Sequence, residues 1–268
     1  MAAAGELRLE RMIDILAALG EPESTRNGGL GVVRVAELVG REKSQVSRAL
    51  RTLHQAGLVE RDPATREYRL GWRLFALAAR VGDQRLLALG PPVLHGLVAA
   101  LGETAHLTVL EGGEVLTVAS EASPSVVRAI EWTGRAVPAH CTSSGRALLL
   151  DHDAGSLRGL FGAEDLRAAG PRAPRDVDAL ARRIAAARAQ GYAVVDGEFE
   201  AGLVGVAAPV RDFRGRIVAA LNVSAPTFRL GPRLRAAGAE VRAAAEGLSV
   251  GLGWNANANA TDGEGAHG

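Results

Sequence analysis

The spacing of apolar residues between Val35 and Leu70 predicts two short helices followed by two short strands. A first helix is expected over residues 35–39 and ends at Gly40, since glycine readily takes the positive φ that closes a helix. A second helix follows, with Ser44 as its expected N-cap. Its apolar stripe has the i, i+3, i+4, i+7 spacing of one helical face and consists of Val46, Ala49, Leu50 and Leu53. Strands are expected over residues 58–61 and 67–70, on either side of the turn sequence Asp-Pro-Ala-Thr.

The face of the second helix opposite that stripe is polar and basic. It carries Ser44, Arg48, Arg51 and Gln55, with Gln45, Ser47 and Thr52 at its sides. A helix face selected only for solubility normally includes some Glu, and this face has none. Such a helix beside a basic hairpin is typical of a winged helix-turn-helix, in which the second helix enters the major groove and the wing lies on phosphates. The predicted DNA contacts are Lys43, Ser44, Gln45, Ser47, Arg48, Arg51, Thr52 and, at the tip of the wing, Arg66. The alternative is a solvated amphipathic helix with a hairpin beside it.

Helical spacing also frames this segment. A helix is expected over residues 6–19, a loop over 21–31 and a small strand over 32–34. After the wing, a helix is expected from Trp72 to about Val81, continuing over 83–89 and broken by Gly90-Pro91-Pro92 before a further helix to Leu101. Its apolar side, which consists of Trp72, Phe75, Ala76 and Ala79, indicates a connector that also contacts a second copy of the chain.

From Glu103 onward the pattern changes to short strands mixed with helices. Strands are expected over residues 104–110, 114–119, 126–132, 192–195, 204–210 and 216–224, and helices over 142–150, 176–190 and 232–248. No regular alternation of strand and helix occurs, so the expected class is α+β, built on a mostly antiparallel sheet. The C-terminal tail, which starts at Asn255, has no core-forming residues and is expected to be disordered.

Composition narrows the class of protein. The 268 residues are 47% hydrophobic, which is enough for a sizeable core. We expect a cytoplasmic protein: there is no run of about 18 apolar residues, and the N-terminus is charged and amphipathic, unlike a signal peptide. With Cys141 the single cysteine, no disulfide can form within the chain. The net charge is +1, yet residues 34–73 contain nine Arg and Lys against five Asp and Glu, which suits nucleic-acid binding by one part of the chain.

Several ordered segments together resemble the IclR family of bacterial transcriptional regulators over roughly Leu7 to Gly253. They are VAELVGREKSQVSRALRTLHQAGLVERDPATREYRLG, GPPVLHGLVAALGETAHLTVLEGGEV, VPAHCTSSGRALL and QGYAVVDGEFEAGLVGVAAPVRDFRGRIVAALNVSAPTFRL. The resemblance implies a winged helix-turn-helix over residues 6–71, a linker helix over 72–90, a GAF-like effector-binding domain over 91–253 and a tail over 254–268. It also implies a homodimer or dimer of dimers on palindromic double-stranded DNA, a carboxylate or aromatic-acid effector, and no cofactor.

The resemblance further implies an effector pocket lined by Ser143, Ser144, Asp196, Gly205, Asn222 and Ser224. The chemistry is reasonable, because the serines begin a helix and offer hydroxyl and N–H groups to a carboxylate. Asn222 and Ser224 alternate along a strand, so both can face one ligand. Alternatively, Ser143 or Ser144 only caps the helix. Many relatives have Cys where this chain has Gly205 and Ser where it has Asn222, which suggests a larger pocket and a different ligand.

Other functions are weighed against a ligand-responsive regulator. A GAF-like enzyme with a residual DNA-binding module would need a nucleophile, a base and an orienting group, and no such set can be assembled. His140 and Cys141 are adjacent, and within one strand their side chains would face opposite ways. Asp196, Glu198 and Glu200 have no nearby His and are a weak metal motif. They also resemble the acidic loop of the family, which implies that some of these carboxylates are structural. An architectural DNA-binding protein would need no pocket.

Overall fold

The computed structural model describes residues 2–78, 84–123, 132–162, 166 and 169–255, and it divides into two compact units, residues 1–84 and 85–268. Helices and a two-stranded hairpin form the first unit. Its elements are α1 (Ala2–Gly20), α2 (Pro22–Asn27), α3 (Val32–Leu38), α4 (Lys43–Gln55), β1 (Val59–Arg61), β2 (Tyr68–Leu70) and α5 (Trp72–Ala78). The predicted stripe of α4 is buried in a core with Ile15, Val35 and Tyr68, which fixes the outward direction of its polar face.

Three local predictions for the first unit are wrong. Residues 22–27 form α2 instead of a loop, because Pro22 is suited to the first position of a helix and Gly28 ends it with φ 77°. The strand expected over 32–34 is the start of α3, and the wing instead pairs with Leu30, which bridges to Tyr68. The N-cap of α4 is Glu42, without a side-chain capping bond, and Ser44 lies inside the helix.

The second unit is a sheet covered by helices. Its helices are α6 (Gln84–Leu101, which starts at the last residue of the first unit), α7 (Ser143–Leu148), α8 (Ala154–Phe161), α9 (Val177–Gln190), α10 (Thr227–Leu230) and α11 (Leu234–Gly251). Its strands are β3 (Thr104–Glu111), β4 (Glu114–Glu121), β5 (Ala136–Pro138), β6 (Ala193–Asp196), β7 (Leu203–Arg211) and β8 (Ile217–Pro226). Among the described residues they form one antiparallel sheet in the order β5-β4-β3-β8-β7-β6.

Side chains alternate between the two faces of this sheet. One face is apolar and packs on α6 and α11 through residues such as Leu107, Leu221 and Val223. The other face packs on α7, α8 and α9 through small residues, with Ala207 and Ala220 at its centre. Farther along this second face the alternating positions become polar, at His106 on β3 and at Asn222 and Ser224 on β8. A cavity lies at this polar end of the face.

The helix expected to break at residues 90–92 does not break. Helix α6 continues through Pro91 and Pro92 to Leu101. A proline inside a helix costs about 3 kcal/mol or more. Here the cost is offset by burial on both sides of the pair, at Leu86, Leu94, Leu97, Val98 and Leu101. A linker helix ending at residue 90 would therefore end inside α6, and the division at 6–71, 72–90, 91–253 and 254–268 stays a prediction.

Some short helices and strands of the structure were not predicted, and some predicted elements fall outside the described residues. Strand β5 and helices α8 and α10 had no prediction, whereas the helix expected over residues 176–190 is α9, with Asp176 and Gly191 as its caps. The expected strand over 126–132 falls mostly outside the described residues, as do Ala79 of the contact helix and residues 256–268 of the tail. None of the helices within the described ranges combines the length and apolar character that crossing a bilayer requires.

Candidate functional site

The polar face of α4 is exposed as predicted from its spacing. Lys43, Ser44, Arg48, Arg51 and Thr52 are exposed, and Gln45 and Ser47 are half-buried at the sides of the helix. Within the described part of the chain, Lys43, Arg48 and Arg51 form no ion pair, although other arginines of the unit do, such as Arg34 with Glu23. We define this set of seven residues as the recognition surface. Unpaired cations beside hydrogen-bonding side chains suit contact with phosphates and base edges.

The wing presents a further cation at its tip. Asp62 organises the turn by accepting hydrogen bonds from the backbone N–H groups of Thr65 at 2.9 Å and Ala64 at 2.8 Å, and these bonds lower the pKa of Asp62. Arg66 then takes a left-handed conformation with φ 61° and is exposed. Arg69 pairs with Glu60 at 2.9 Å, whereas Arg66 has no ion pair to another described residue. Its charge is therefore available to a phosphate.

Sequence reasoning missed one residue beside the recognition surface. Arg11 of α1 lines a groove with Gln45, Arg48 and Thr52 of α4, and its buried Nε has no hydrogen-bond partner among the described residues. Arg11 belongs to the first helix, whose periodicity marks its apolar side but does not say which neighbour its polar side meets.

The second unit contains a cavity of about 590 Å³, open mouth included, against the polar end of the sheet. The residues that line it are His106, Thr108, Val115, Thr117, Trp132, Val137, Thr142, Ser143, Ser144, Val195, Phe199, Leu203, Val204, Gly205, Asn222 and Ser224. Five of the six predicted pocket residues are among them. Asp196 is not, and its carboxylate pairs with Arg172 instead. The alternation of His106 and Thr108 on one face of β3 could be predicted from the sequence. The pairing of β3 with β8, which places them beside Asn222, could not.

The first turn of α7 forms one wall of this cavity. Its N-cap is Thr142, whose Oγ1 accepts a hydrogen bond from the Gly145 N–H at 3.2 Å. The capping role therefore belongs to Thr142, which leaves the Ser143 and Ser144 hydroxyls for other contacts. Gly145 is required here, because a Cβ at this position would lie 2.1 Å from the carbonyl oxygen of Ala139.

Hydrogen bonds connect that wall to the sheet. Asn222 donates from Nδ2 to Ser143 Oγ at 2.7 Å and to the carbonyl oxygen of Val206 at 3.1 Å. The Asn222 Oδ1 atom and the hydroxyls of Ser144 and Ser224 have no hydrogen-bond partner among the described residues. All three residues line the cavity. A ligand or ordered water is the natural partner for these three groups.

Gly205 does not enlarge the ligand space as the sequence suggested. A Cβ at residue 205 would lie 2.8 Å from Ser143 Oγ and 3.5 Å from Asn222 Nδ2. The position opposite Gly205 is therefore taken by the bonded Ser143 and Asn222 side chains. The absence of a side chain at residue 205 leaves room for that hydrogen bond.

His106 is a buried histidine in the cavity wall. Its Nδ1 lies 3.0 Å from Ser120 Oγ, and its ring meets the edge of Trp132 at 5.9 Å between centroids. Burial lowers the pKa of His106 to about 4, since desolvation penalises the charged imidazolium. The imidazole of His106 is therefore neutral at physiological pH.

A buried ion pair holds the loop after β6 against α7. Arg146 has 4% of its side chain exposed and bonds Glu198 at 2.5 Å and 3.3 Å, and it donates to the carbonyl oxygen of Val194 at 2.7 Å. Arg183 also pairs with Glu198. Phe199 follows directly and lines the cavity, so this cluster positions a wall of the cavity without facing it. Glu198 is accordingly structural, one of the two roles considered for the acidic segment.

No catalytic arrangement is apparent around Cys141. Residues 139–141 form a 3-10 turn, so His140 and Cys141 do not lie within a strand, and His140 packs on Phe161. Burial raises the pKa of the Cys141 thiol to about 11, so it is a poor nucleophile at neutral pH. Within the described ranges, no three His, Cys, Asp or Glu side chains are grouped as metal ligands would be.

Comparison with known proteins identifies the two units. A family model for the bacterial transcriptional regulator IclR C-terminal domain matches residues 78–250, and one for the IclR helix-turn-helix domain matches residues 8–63. The chain belongs to the IclR family. This confirms the predicted family and the predicted α+β fold class.

Relatives of this IclR-family chain include a regulatory protein and a repressor. It is 33% identical to the Pca regulon regulatory protein of Pseudomonas putida over 83% of this chain and 75% of that protein. It is 30% identical to the HTH-type transcriptional repressor AllR of Salmonella typhimurium over 93% of this chain and 91% of that protein. These relatives are transcriptional regulators and not enzymes.

Solved structures of the family resemble the chain over most of its length. An IclR homolog from Microbacterium hydrocarbonoxydans in complex with 4-hydroxybenzoate matches with a TM-score of 0.75 and 26% identity, over 91% of this chain and 98% of that one. The IclR regulator from Alicyclobacillus acidocaldarius matches with a TM-score of 0.73 and 27% identity, over 92% of this chain and 98% of that one.

Proposed function

We propose that this IclR-family regulator represses a metabolic operon and that a small organic acid, bound in the effector cavity, controls its affinity for DNA. The observation that carries the proposal is a cavity lined by Ser144, Asn222 and Ser224, whose polar groups have no partner among the described residues, in the same chain as an exposed cationic helix face. The repressor AllR among its relatives and the 4-hydroxybenzoate bound by a structural neighbour support the sign of regulation and the class of effector.

On the DNA side, the recognition surface reads base edges in the major groove and Arg66 contacts a phosphate. One recognition helix reads too few base pairs for specificity in a genome, so the chain acts as a homodimer or dimer of dimers on a palindromic operator. The apolar residues of α5 suit the contact between copies, since Trp72 is 76% exposed and Phe75 is 67% exposed. The site of action is the cytoplasm, where the DNA is.

On the effector side, a carboxylate would be held by the Ser144 hydroxyl beside the first turn of α7, and the remainder of the ligand would contact Asn222, Ser224 and Phe199. Binding shifts the protein between states of different DNA affinity, which requires the ligand to prefer one of them. Asp196 stays a proposed outer contact for a hydroxyl or amine of a larger ligand, since an ionised carboxylate would repel an acid.

The test uses operator fragments selected from random DNA, followed by mobility shifts with and without 4-hydroxybenzoate and other small aromatic and aliphatic acids. Thermal shifts of the same protein report ligand binding, with about 2.7 kcal/mol of stabilisation expected at a hundred times the dissociation constant. Ser144→Ala and Arg48→Ala are reciprocal controls. Ser144→Ala loses the ligand response and retains DNA binding, and Arg48→Ala does the opposite. An acid that stabilises the wild type and both Ser144→Ala and Asn222→Ala equally would place the effector site elsewhere.

A further inference from the structure

The effector cavity has no charged side chain among the described residues that line it. Its walls are aromatic, aliphatic, hydroxyl and amide side chains, together with the imidazole of His106. An organic acid entering this space would bring a carboxylate charge out of water, at a cost of several kcal/mol unless a cation or several donors meet it. An acid that binds as an anion therefore needs either a counter-charge or a full set of neutral donors.

Among the described residues, the arginines near the cavity are either paired with another group or lie outside the cavity wall. Arg146 is buried behind the cavity and bonded to Glu198. Arg135 is exposed, with its guanidinium carbon 5.9 Å from the centroid of the Trp132 ring, and it does not line the cavity. Among the described residues that line the cavity, the group that can become positive within the pH range of a cell is His106.

The position of His106 suits this role. It lies directly opposite Asn222 in the pairing of β3 with β8, and Asn222 bonds Ser143 at the start of α7. Side chains paired in this way have Cβ atoms about 5 Å apart, so one small ligand can reach all of them. Ser120 holds Nδ1, and Nε2 has no hydrogen-bond partner among the described residues. An imidazole held at one nitrogen can donate from the other to a carboxylate.

Among the described residues, the groups that face His106 carry no charge that would compete with a ligand carboxylate for its imidazole. On β4 its partner is Ser120, on β8 it is Asn222, and Trp132 covers its edge. Glu121, the residue after Ser120, lies 3.2 Å from His95 Nδ1. The lowered pKa of His106 accordingly has burial as its cause and no charged neighbour.

We propose that His106 is a specificity-determining residue of the effector cavity, which takes up one proton from solvent when an organic acid binds and then balances its carboxylate as an imidazolium. The inference rests on the proposed organic-acid effector. The regulator would thereby respond to acid and pH jointly, with tighter binding at lower pH. In the window where uptake is complete, the dissociation constant falls about tenfold for each unit decrease in pH.

Titration calorimetry with 4-hydroxybenzoate and benzoate as probes tests this directly. Measurements at about pH 5.5 and about pH 7.5, each in two buffers of different ionisation enthalpy, give the number of protons taken up. The wild type should take up about one proton per protomer at the lower pH. His106→Gln, which can still bond Ser120 but cannot become an imidazolium, should bind without uptake and with the same affinity at both pH values. His152→Gln, which changes a histidine that does not line the cavity, should behave as the wild type.

The other outcomes overturn the proposal. Binding by the wild type without proton uptake would mean that neutral donors suffice, and uptake that persists in His106→Gln would mean that the acid itself is protonated. Either result leaves the organic-acid effector in place. Failure of both probes to bind at either pH, with DNA binding intact, counts against both proposals. Should His106→Gln not fold, NMR of wild-type protein labelled in its six histidines decides, because one resonance must change to the imidazolium form on binding.

Discussion

The recognition surface on α4 and the effector cavity contain similar side chains in opposite environments. On α4, Lys43, Arg48 and Arg51 face water, so their charges are solvated without an ion pair to another described residue. In the cavity, Ser143, Asn222 and His106 are buried, and each must bond a neighbour or a ligand. Exposed polar groups cost the fold little and matter when DNA arrives, whereas buried ones are coupled to the stability of the unit that holds them. The predictions below test this difference.

The largest effect is expected where a charge supports the cavity from behind. Glu198→Ala leaves Arg146 buried without its carboxylate, and breaking one side of a buried ion pair typically costs about 3–5 kcal/mol. Urea denaturation should show a loss of this size in the free energy of unfolding. The matched control is Glu200→Ala, an exposed carboxylate two residues later, which should change it by about 0.5 kcal/mol or less. Equal effects from the two variants would contradict a supporting role for Glu198.

A second effect concerns His106 and pH. The pKa of His106 is about 4 in the folded protein, below its ordinary value of about 6.5, so the unfolded chain binds more protons between these values. The contribution of the neutral His106 to the free energy of unfolding is therefore complete above about pH 6.5. It decreases as pH falls toward about 4, by about 2 kcal/mol on reaching about pH 5.

Replacing the histidine should remove that decrease. The urea unfolding free energy of His106→Gln should depend less on pH than that of the wild type between about pH 7.5 and about pH 5. Thr117→Ser alters the same cavity wall without removing an ionisable group and should retain the wild-type slope. Parallel slopes for wild type and His106→Gln would show that His106 is already solvated or charged.

On the exposed surface, Arg48→Ala should leave the free energy of unfolding within about 0.5 kcal/mol of the wild type. Its cost should appear on operator DNA instead, at about 1–3 kcal/mol with relaxed sequence preference, because a base contact is lost. Quantitative mobility shifts measure it, and Arg182→Ala, an exposed arginine of α9, serves as the control. Wild-type operator affinity in an Arg48→Ala/Arg51→Ala double variant would show that these residues of α4 do not contact the operator.

The smallest effect is expected at the wing. Arg66→Ala should weaken binding to specific and unrelated DNA alike and reduce the slope of log affinity against log salt by about 1, since one phosphate contact is lost. Binding measured over a series of salt concentrations gives this slope. A loss confined to the operator sequence would instead indicate that Arg66 reads bases.

Elements with a strong local pattern could be predicted from the sequence. The apolar stripe of α4 and the caps of α9 at Asp176 and Gly191 follow from side chains within one or two helical turns. The recognition surface belongs to this group, because the direction of a helix face is set by the same short periodicity that buries its opposite side. Predictions that relied on local breaker residues alone were less successful, at Pro22 and at Pro91-Pro92, where capping and burial outweighed the expected break.

The effector cavity depends on contacts between distant parts of the chain. The sequence supplied Ser143, Ser144 and Asn222 through resemblance to a family, but the bond from Asn222 to Ser143 joins residues 79 positions apart. His106 becomes part of the wall because β3 pairs with β8, and Asp196 is absent from it because its carboxylate meets Arg172. Local sequence determines which face of an element is polar, whereas strand register and helix packing decide which polar faces meet. The free energy of burying those groups depends on that meeting, so only the tertiary structure could place the ligand site.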